Sequence, residues 1–253
     1  MTTTVLVTGG TGTLGRLTTP LLRDAGFNVR VLSRSSHEAA GGIEYVVGNL
    51  TTGEGIEAAV TGVDTIVHLA GDSKGDDDKA RTLVEAVAKT GGKPHIVYIS
   101  VVGADQKSFA YFGFKRGAEQ VIAESGLPWT TVRATQFHDL VLTLAKTLAK
   151  LPVVPVPTGF KVQPIDARDV ATRLVELAQG EPAGLVDDIA GPRIYTLKEI
   201  ISSYLRAADR RRPMLPLRFP GKASRAFRTG VNLAPTHPTG THSWEAFLAE
   251  RVR

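Results

Sequence analysis

The chain has 253 residues, of which 42% are hydrophobic and 22% charged, and its net charge is +5. This length allows a full α/β core, and the absence of cysteine excludes disulfides, thiolate catalysis and cysteine-ligated metal sites. No apolar run approaches the roughly 18 residues that span a bilayer, and the first strand follows the initial methionine too closely for a signal peptide. We therefore expect a cytoplasmic protein that does not bind membranes.

The first predicted element is a buried parallel strand, residues 5–8, which leads into a glycine-rich turn and a helix. The glycines have the spacing Gly9-x-x-Gly12-x-x-Gly15. Glycines at a strand-to-helix turn let a phosphate approach the backbone, where the first N–H groups of the helix attract its charge. The stretch therefore predicts a dinucleotide site, and a simple tight turn is the alternative. The residues assigned to this turn are Gly9, Thr11, Gly12, Thr13, Leu14 and Gly15.

Strands and helices alternate along the first 134 residues. The predicted strands are 5–8, 28–33, 44–47, 63–69, 95–100 and 129–134, and the predicted helices are 13–25, 55–60, 76–90 and 115–125. Repeated strand–helix–strand units form a parallel sheet that is covered on both faces, with right-handed crossovers. We therefore predict an α/β fold with a Rossmann-type doubly wound sheet, in a nucleotide-binding domain of residues 1–178.

The pattern changes after residue 134. We predict a helix over 138–150, an extended segment over 151–157 whose prolines exclude a central strand, and helices over 166–179, 196–208 and from Ser243 onward. Short strands are predicted at 185–189 and 214–219. These pieces are too few to bury a core alone, so we predict that residues 179–253 form a small C-terminal α/β region that caps the carboxyl edge of the sheet and shapes the substrate pocket.

The end of the second strand determines which dinucleotide the site prefers. An acidic residue there binds the ribose hydroxyls of NAD, whereas the 2′-phosphate of NADP requires a cation. This chain has Ser33, Arg34 and Ser35 at that place. A guanidinium with two hydroxyls suits a phosphate, so the sequence favours NADP(H) over NAD(H) as the cofactor. An ordinary surface role for Arg34 is the alternative.

A Tyr-x-x-x-Lys pattern, Tyr111 to Lys115, follows the fifth strand, and Ser100 ends that strand. Residues four apart share a helical face, so we expect the Lys115 ammonium to lie beside the phenol and to lower the pKa of Tyr111. Tyr111 is then a candidate proton donor to a carbonyl oxygen, and Ser100 a hydrogen-bond donor to the same oxygen. A half-buried tyrosine beside a lysine that extends to solvent is the alternative.

Several segments together resemble the short-chain dehydrogenase/reductase superfamily, in its atypical NmrA-like branch. They are GGTGTLG (9–15), the HLAG end of the fourth strand, Ser100, YFGFK (111–115) and ESGLPWTTVRATQF (124–137). The resemblance implies a Rossmann domain that holds NAD(P)H across its sheet, with Ser100, Tyr111 and Lys115 as the catalytic residues. It also implies that the cofactor is contacted by Arg34, Asn49, Leu50, Leu69, Ala70, Gly71, Thr135 and Phe137.

Two functions remain open at this stage. The first is an NADPH-dependent reductase of a small apolar substrate, because both Tyr111 and Lys115 are present. The second is a non-catalytic NADP(H)-binding sensor, regulator or scaffold, since some NmrA-like proteins bind the nucleotide without turning it over. We expect a monomer or homodimer without nucleic-acid partners, because the basic segment 203–253 lacks interleaved aromatic residues.

Two further features are given structural interpretations. No histidines show the spacing of metal ligands, so we predict no metal site. The acidic run of Asp76, Asp77 and Asp78 stands at a predicted helix N-terminus, where negative charge complements the helix dipole. We therefore interpret the run as stabilising that helix rather than as binding a cation.

Overall fold

A computed structural model describes residues 3–39, 41–72, 74–106 and 110–252. The strands in this part of the chain are β1 (Thr4–Thr8), β2 (Asn28–Ser33), β3 (Ile43–Val47), β4 (Thr65–His68), β5 (His95–Val101), β6 (Trp129–Ala134), β7 (Val154–Pro157), β8 (Lys161–Val162), β9 (Gly184–Leu185), β10 (Tyr195–Thr196) and β11 (Met214–Leu217). The helices are α1 (Gly15–Asp24), α2 (Ile56–Val60), α3 (Asp76–Thr90), α4 (Ala110–Ala123), α5 (His138–Leu148), α6 (Ala167–Gln179), α7 (Leu197–Ala207), α8 (Lys222–Thr229) and α9 (Trp244–Arg251).

The central sheet has seven strands in the order β3-β2-β1-β4-β5-β6-β9. Strand β1 pairs in parallel with β2 on one side and with β4 on the other, so the strand order reverses at β1. The first six strands follow the order of the doubly wound dinucleotide-binding fold, which places ligands at the carboxyl edge beside this reversal. The predicted Rossmann-type parallel sheet is confirmed.

The chain divides into two compact units, each built from separate segments. The first comprises Met1–Ser100, Ala110–Val132 and Ala171–Val186, and the second comprises Val101–Phe109, Arg133–Val170 and Asp187–Arg253. The sequence analysis has a single boundary after residue 178, and that boundary stays a prediction. Segment 171–186 gives the first unit the short edge strand β9, which extends the sheet beyond β6.

Each unit has its own apolar core. In the first unit, sheet residues such as Leu6 and Ile66 pack with Leu83 of α3 and Ile122 of α4. In the second, α5, α7 and α9 contribute Val141, Ile200 and the fully buried Trp244. Short two-stranded sheets complete the second unit, with β7 parallel to β11 and β8 antiparallel to β10.

Several predicted boundaries are wrong. Helix α4 begins by Ala110 rather than at residue 115, which places Tyr111 within its first turn. The predicted strand 185–189 is limited to β9, because the chain then carries two aspartates, and Ile189 forms only an isolated bridge to Ala134. The prediction also missed β8, β10 and α8, which are short or strongly basic. None of the helices in the described residues is both long and apolar enough to span a membrane.

Helix α7 begins with a capping box formed by Thr196 and Glu199. The Thr196 hydroxyl accepts a hydrogen bond from the Glu199 N–H at 3.2 Å, while the Glu199 carboxylate accepts one from the Thr196 N–H at 2.7 Å. We expect Thr196→Ala to lower the free energy of unfolding by about 1 kcal/mol, because one helix N–H loses its acceptor. Urea unfolding checks this, and Thr196→Ser should retain the stability. Equal losses in both variants would show that the hydroxyl is not the stabilising group.

Candidate active site

The glycine turn after β1 has the geometry that close approach of a phosphate requires. Gly9 has φ +71°, and an added Cβ there would lie 2.7 Å from the Ala70 nitrogen on β4's extension. A Cβ on Gly15 would overlap the Gly9 carbonyl oxygen, so only glycine lets α1 pack against the turn. At Gly12 an added Cβ would meet only that oxygen, at 3.3 Å. The turn is therefore closed on its protein side and open at Gly12.

Most of the predicted cofactor-binding residues meet in one cleft of about 250 Å³ within the first unit. The predicted residues that line it are Gly9, Thr11, Gly12, Ser33, Arg34, Asn49, Leu50, Leu69, Ala70 and Gly71. Leu32, Gly48, Thr51, Asp72 and Lys79 also line it and were not predicted. Among the other predicted residues, Leu14 is buried at the start of α1, and Thr13, Gly15 and Ser35 are not in the lining.

The charge and donors of this cleft suit a dinucleotide with a 2′-phosphate. Arg34 is exposed and forms no ion pair with any residue that the structure describes, so its guanidinium is available to an anion. Asn49 accepts the Thr51 N–H through Oδ1 at 2.9 Å, which leaves its NH₂ group to donate. The residues present therefore fit NADP(H), although the assignment of each contact stays a prediction.

Lys115 forms a buried ion pair with Asp76, the first residue of α3. Lys115 Nζ lies 2.7 Å from Asp76 Oδ2, and the two side chains are 9% and 1% exposed. The ammonium also lies 5.6 Å from the ring centroid of Tyr98. A Cβ added at Gly71 would come within 2.9 Å of Nζ, so the ion pair lies against a residue that lines the cofactor cleft. Asp76 therefore does more than complement the helix dipole, because it neutralises the predicted catalytic lysine.

The predicted effect of Lys115 on Tyr111 is wrong. Burial and the Asp76 carboxylate raise the pKa of Tyr111 to about 12. The reason is that the ammonium charge is taken up by Asp76, so the phenol has a nearby carboxylate and a low-dielectric surrounding. Tyr111 is nevertheless 38% exposed. At neutral pH its hydroxyl is protonated, which is the form that a proton donor needs.

Ser100, near the end of β5, has a buried hydroxyl. The side chain is 1% exposed, and its Oγ has no hydrogen-bond partner among the described residues. Successive residues of a strand face opposite ways, so Ser100 lies on the same face of β5 as Tyr98, next to which Lys115 lies. Buried hydroxyls usually have a hydrogen-bond partner, so this one is a candidate to donate to a bound ligand.

A row of side chains across β1 and β4 supports this region. The Thr8 hydroxyl accepts the N–H groups of Leu69 and Ala70, both at 3.2 Å, so its own proton goes to Nδ1 of His68 at 2.7 Å. His68 is completely buried and stacks on Tyr98 with centroids 5.4 Å apart. Burial, with a smaller contribution from Lys115, lowers the pKa of His68 to about 4. The ring is therefore neutral, with its proton on Nε2.

The buried His68 predicts a loss of stability in acid. Between about pH 6.5 and pH 4 the unfolded chain binds a proton on this ring and the folded chain does not, so the free energy of unfolding falls as the pH falls. This contribution is at most about 1.4 kcal/mol per pH unit. We expect His68→Gln to give a flatter pH profile in urea unfolding from pH 7 to 4.5. Parallel profiles for the two proteins would contradict the neutral state.

Thr135 and Phe137 belong to the second unit. The Thr135 hydroxyl donates to the Gln163 carbonyl at 2.6 Å and is buried. Phe137 precedes α5 and forms an isolated bridge with Ile165. These contacts fix the chain after β6, and the predicted contact of both residues with the nicotinamide stays a prediction.

Sequence reasoning missed three side chains of this region. Asp76 was interpreted through its helix alone, because its partner Lys115 lies on a different helix. Lys79 could have been found, since residues three apart share a helix face and Lys79 lies 3.7 Å from Asp76. His37 was considered only as a metal ligand, and it lies 2.9 Å from the hydroxyl of Ser33.

Comparison with known proteins supports the interpretation of the fold and cleft. Residues 9–181 match the family described as NAD(P)H-binding. Over 98% of its length the chain is 32% identical to a (4-alkanoyl-5-oxo-2,5-dihydrofuran-3-yl)methyl phosphate reductase of Streptomyces griseus, 87% of which is covered. It is 30% identical to an NAD(P)H azoreductase of Xenophilus azovorans, over 81% of this chain and 74% of that protein.

The solved structures include an NADPH-dependent quinone oxidoreductase from Escherichia coli in complex with NADPH. It superposes with a TM-score of 0.83, covers 97% of this chain and 99% of its own, and is 18% identical in sequence. At that identity the similarity concerns the fold. Because the matched segment covers most of the chain and includes the glycine turn, this protein belongs to the NAD(P)H-binding family with the atypical, NmrA-like short-chain dehydrogenase/reductase fold.

Proposed function

We propose that the protein is an NADPH-dependent reductase that transfers a hydride to a carbonyl, quinone or activated double bond of a small apolar substrate. The observation that carries the proposal is the buried Asp76–Lys115 ion pair, which lies against the lining of the cofactor cleft. Tyr111 lies about one turn before Lys115 on α4 and is within electrostatic reach of Asp76. The reductases among the relatives support the same general activity.

The proposed reaction adds two electrons and two hydrogens to the acceptor. When bound, the dihydronicotinamide supplies a hydride. For a carbonyl acceptor, the hydride forms a bond to carbon and the oxygen takes the phenolic proton of Tyr111, which gives an alcohol. The phenol of Tyr111 is protonated at neutral pH, which is the form that this direction needs, whereas the reverse oxidation would need its phenolate as base. The Ser100 hydroxyl, which lacks a protein partner in the described residues, would donate to the same oxygen.

The cofactor contacts follow from the cleft. The open side of the glycine turn at Gly12 would receive the pyrophosphate, and Arg34 would bind the 2′-phosphate. Lys115 would hold the ribose hydroxyls beside the reacting end, as the family resemblance implies. The Arg34 guanidinium, which forms no ion pair with any residue that the structure describes, favours NADPH over NADH.

The first experiment measures binding of NADPH and NADH by fluorescence titration, for the wild type and for Arg34→Ala. We expect the variant to weaken NADPH binding by about 10- to 100-fold, because a charge-assisted contact to the phosphate is lost, and to leave NADH binding nearly unchanged. Arg23→Ala is the matched control, since Arg23 is a partly exposed arginine that pairs with Asp24 outside the cleft. Equal affinities of wild type and Arg34→Ala for NADPH would contradict the assignment.

Turnover is then followed as NADPH consumption with a panel of quinones, aldehydes, azo compounds and unsaturated lactones. Consumption that depends on one acceptor class supports the reductase and identifies its substrate class. Tight NADPH binding without consumption in the presence of any acceptor would contradict the reductase. That result would favour the alternative, a non-catalytic NADP(H)-binding sensor or scaffold.

A further inference from the structure

Ser33, the last residue of strand β2, lies in the lining of the cofactor cleft. In the turn that follows, His37 contacts Ser33. Ser33 is buried and lines the cleft next to Arg34. The Nε2 atom of His37 lies 2.9 Å from Ser33 Oγ, and 3.4 Å from Ser35 Oγ. The imidazole therefore contacts a predicted phosphate-binding hydroxyl, although His37 is not itself among the residues that line the cleft.

The ring of His37 is held in place although it is exposed. It lies against Tyr45 of β3, with ring centroids 4.9 Å apart and planes inclined by 38°. Strand β3 pairs in parallel with β2, so Tyr45 reaches His37 from the neighbouring strand of the same sheet. The contact to Ser33 is thus supported by the sheet and by the turn together.

The hydrogen bonds of Ser33 determine where its single proton points. Its oxygen already accepts the Ser35 N–H at 3.3 Å. If His37 carries a hydrogen on Nε2, that N–H donates to the remaining lone pair, and the Ser33 proton is free to donate into the cleft. If Nε2 carries no hydrogen, the Ser33 hydroxyl donates its hydrogen bond to Nε2 instead. An anion in the cleft can accept a hydrogen bond from the Ser33 hydroxyl in the first state but not in the second.

We propose that His37 is a positioning residue for the 2′-phosphate of NADPH, which directs the Ser33 hydroxyl proton into the cleft and so increases the selectivity for NADPH over NADH. The inference rests on the proposed NADPH site at Arg34 and adds a second determinant to it. A phosphate is a strong acceptor, so its binding selects the state in which Nε2 donates to Ser33. NADH has hydroxyls in that place and gains less from the donor.

A purely structural role of His37 predicts something different. If the ring only supported the turn, its replacement would weaken NADPH and NADH alike, because both dinucleotides use the same cleft. The ratio of the two dissociation constants therefore separates the two roles. NADH affinity also reports whether each variant is folded.

The experiment is titration of the full-length protein with NADPH and NADH, using His37→Gln, His37→Glu and the control Ser36→Glu. A glutamine amide donates to Ser33 as the imidazole N–H does, so we expect NADPH affinity within about threefold of the wild type. A glutamate can only accept and takes the Ser33 proton, so we expect NADPH binding about tenfold weaker or more, with NADH within about twofold. Ser36→Glu places the same charge one residue away and should have a smaller effect.

The double variant Ser33→Ala with His37→Glu tests whether His37 affects NADPH binding through the Ser33 hydroxyl. Without the Ser33 hydroxyl, His37→Glu should weaken NADPH binding no more than Ser36→Glu does. The proposal is overturned if His37→Glu weakens both nucleotides equally, if Ser36→Glu matches it, or if its effect persists in the Ser33→Ala background. An effect of Arg34→Ala on NADPH without any change in the His37 variants would reject this inference and leave the proposed function intact.

Discussion

Replacing Tyr111 with phenylalanine is expected to lower NADPH-dependent turnover by about 10²- to 10⁴-fold and to leave NADPH affinity unchanged. The range is the usual contribution of a positioned proton donor. Affinity should not change, because Tyr111 is absent from the lining of the cofactor cleft. Steady-state kinetics with the best acceptor from the panel, together with fluorescence titration of NADPH, measures both quantities.

The controls for Tyr111→Phe use the chemistry of the phenol. Tyr204→Phe makes the same change in the buried core of the second unit and should keep wild-type turnover. Because the pKa of Tyr111 is raised to about 12, its titration should not cause a loss of reductive activity between pH 7 and 10. Full activity of Tyr111→Phe with every acceptor would show that another group supplies the proton.

Replacing Asp76 with asparagine is expected to lower the free energy of unfolding by about 3–5 kcal/mol, because the buried Lys115 ammonium loses its counter-charge. Asp78→Asn is the matched control, since Asp78 is exposed in the same first turn of α3. Its loss should stay below about 1 kcal/mol, which is the range of a helix-dipole contribution. Unfolding in guanidinium chloride measures the free energy of unfolding of both variants. Equal losses would show that Asp76 stabilises the protein only through the helix dipole.

A second variant keeps the Asp76 prediction testable if Asp76→Asn fails to fold. Asp76→Asn combined with Lys115→Met removes both charges, and replacing a buried ion pair by apolar groups costs much less than breaking it. The double variant should therefore be more stable than Asp76→Asn alone. The removal of Asp76 also takes away a carboxylate that raises the pKa of Tyr111, so in any folded variant the phenol should titrate at a lower pH.

Local chemistry made the sheet and the glycine turn predictable. Strand β2 (Asn28–Ser33), helix α3 (Asp76–Thr90) and strand β6 (Trp129–Ala134) agree with the prediction to the residue. Helix α3 is flanked by Gly75 and Gly91, both in the left-handed conformation that ends or begins a helix, and such signals are readable in the sequence. The doubly wound order then followed from the repeated strand–helix–strand pattern.

Contacts between distant segments could not be predicted in the same way. The partner of Lys115 is Asp76, which lies on another helix, α3. The predicted direction of the Tyr111 pKa shift was wrong for this reason, because the prediction included the charge of Lys115 and omitted Asp76, which neutralises that charge. In the second unit, α8 was missed because it is only eight residues long and strongly basic, so its few apolar positions form too short a pattern.

Because the segments of the two units alternate along the chain, neither unit can complete its fold until late in synthesis on the ribosome. The first unit lacks its edge strand β9 until residue 185 has been made, by which time the second unit's segment 133–170 has already been made. The core of the second unit is completed later still, because it includes Trp244 and Phe247 of α9. Synthesis proceeds at roughly 5–20 residues per second, so the apolar faces of α5 and α7 remain uncovered by α9 for several seconds. During that time we expect chaperones to protect these faces from aggregation.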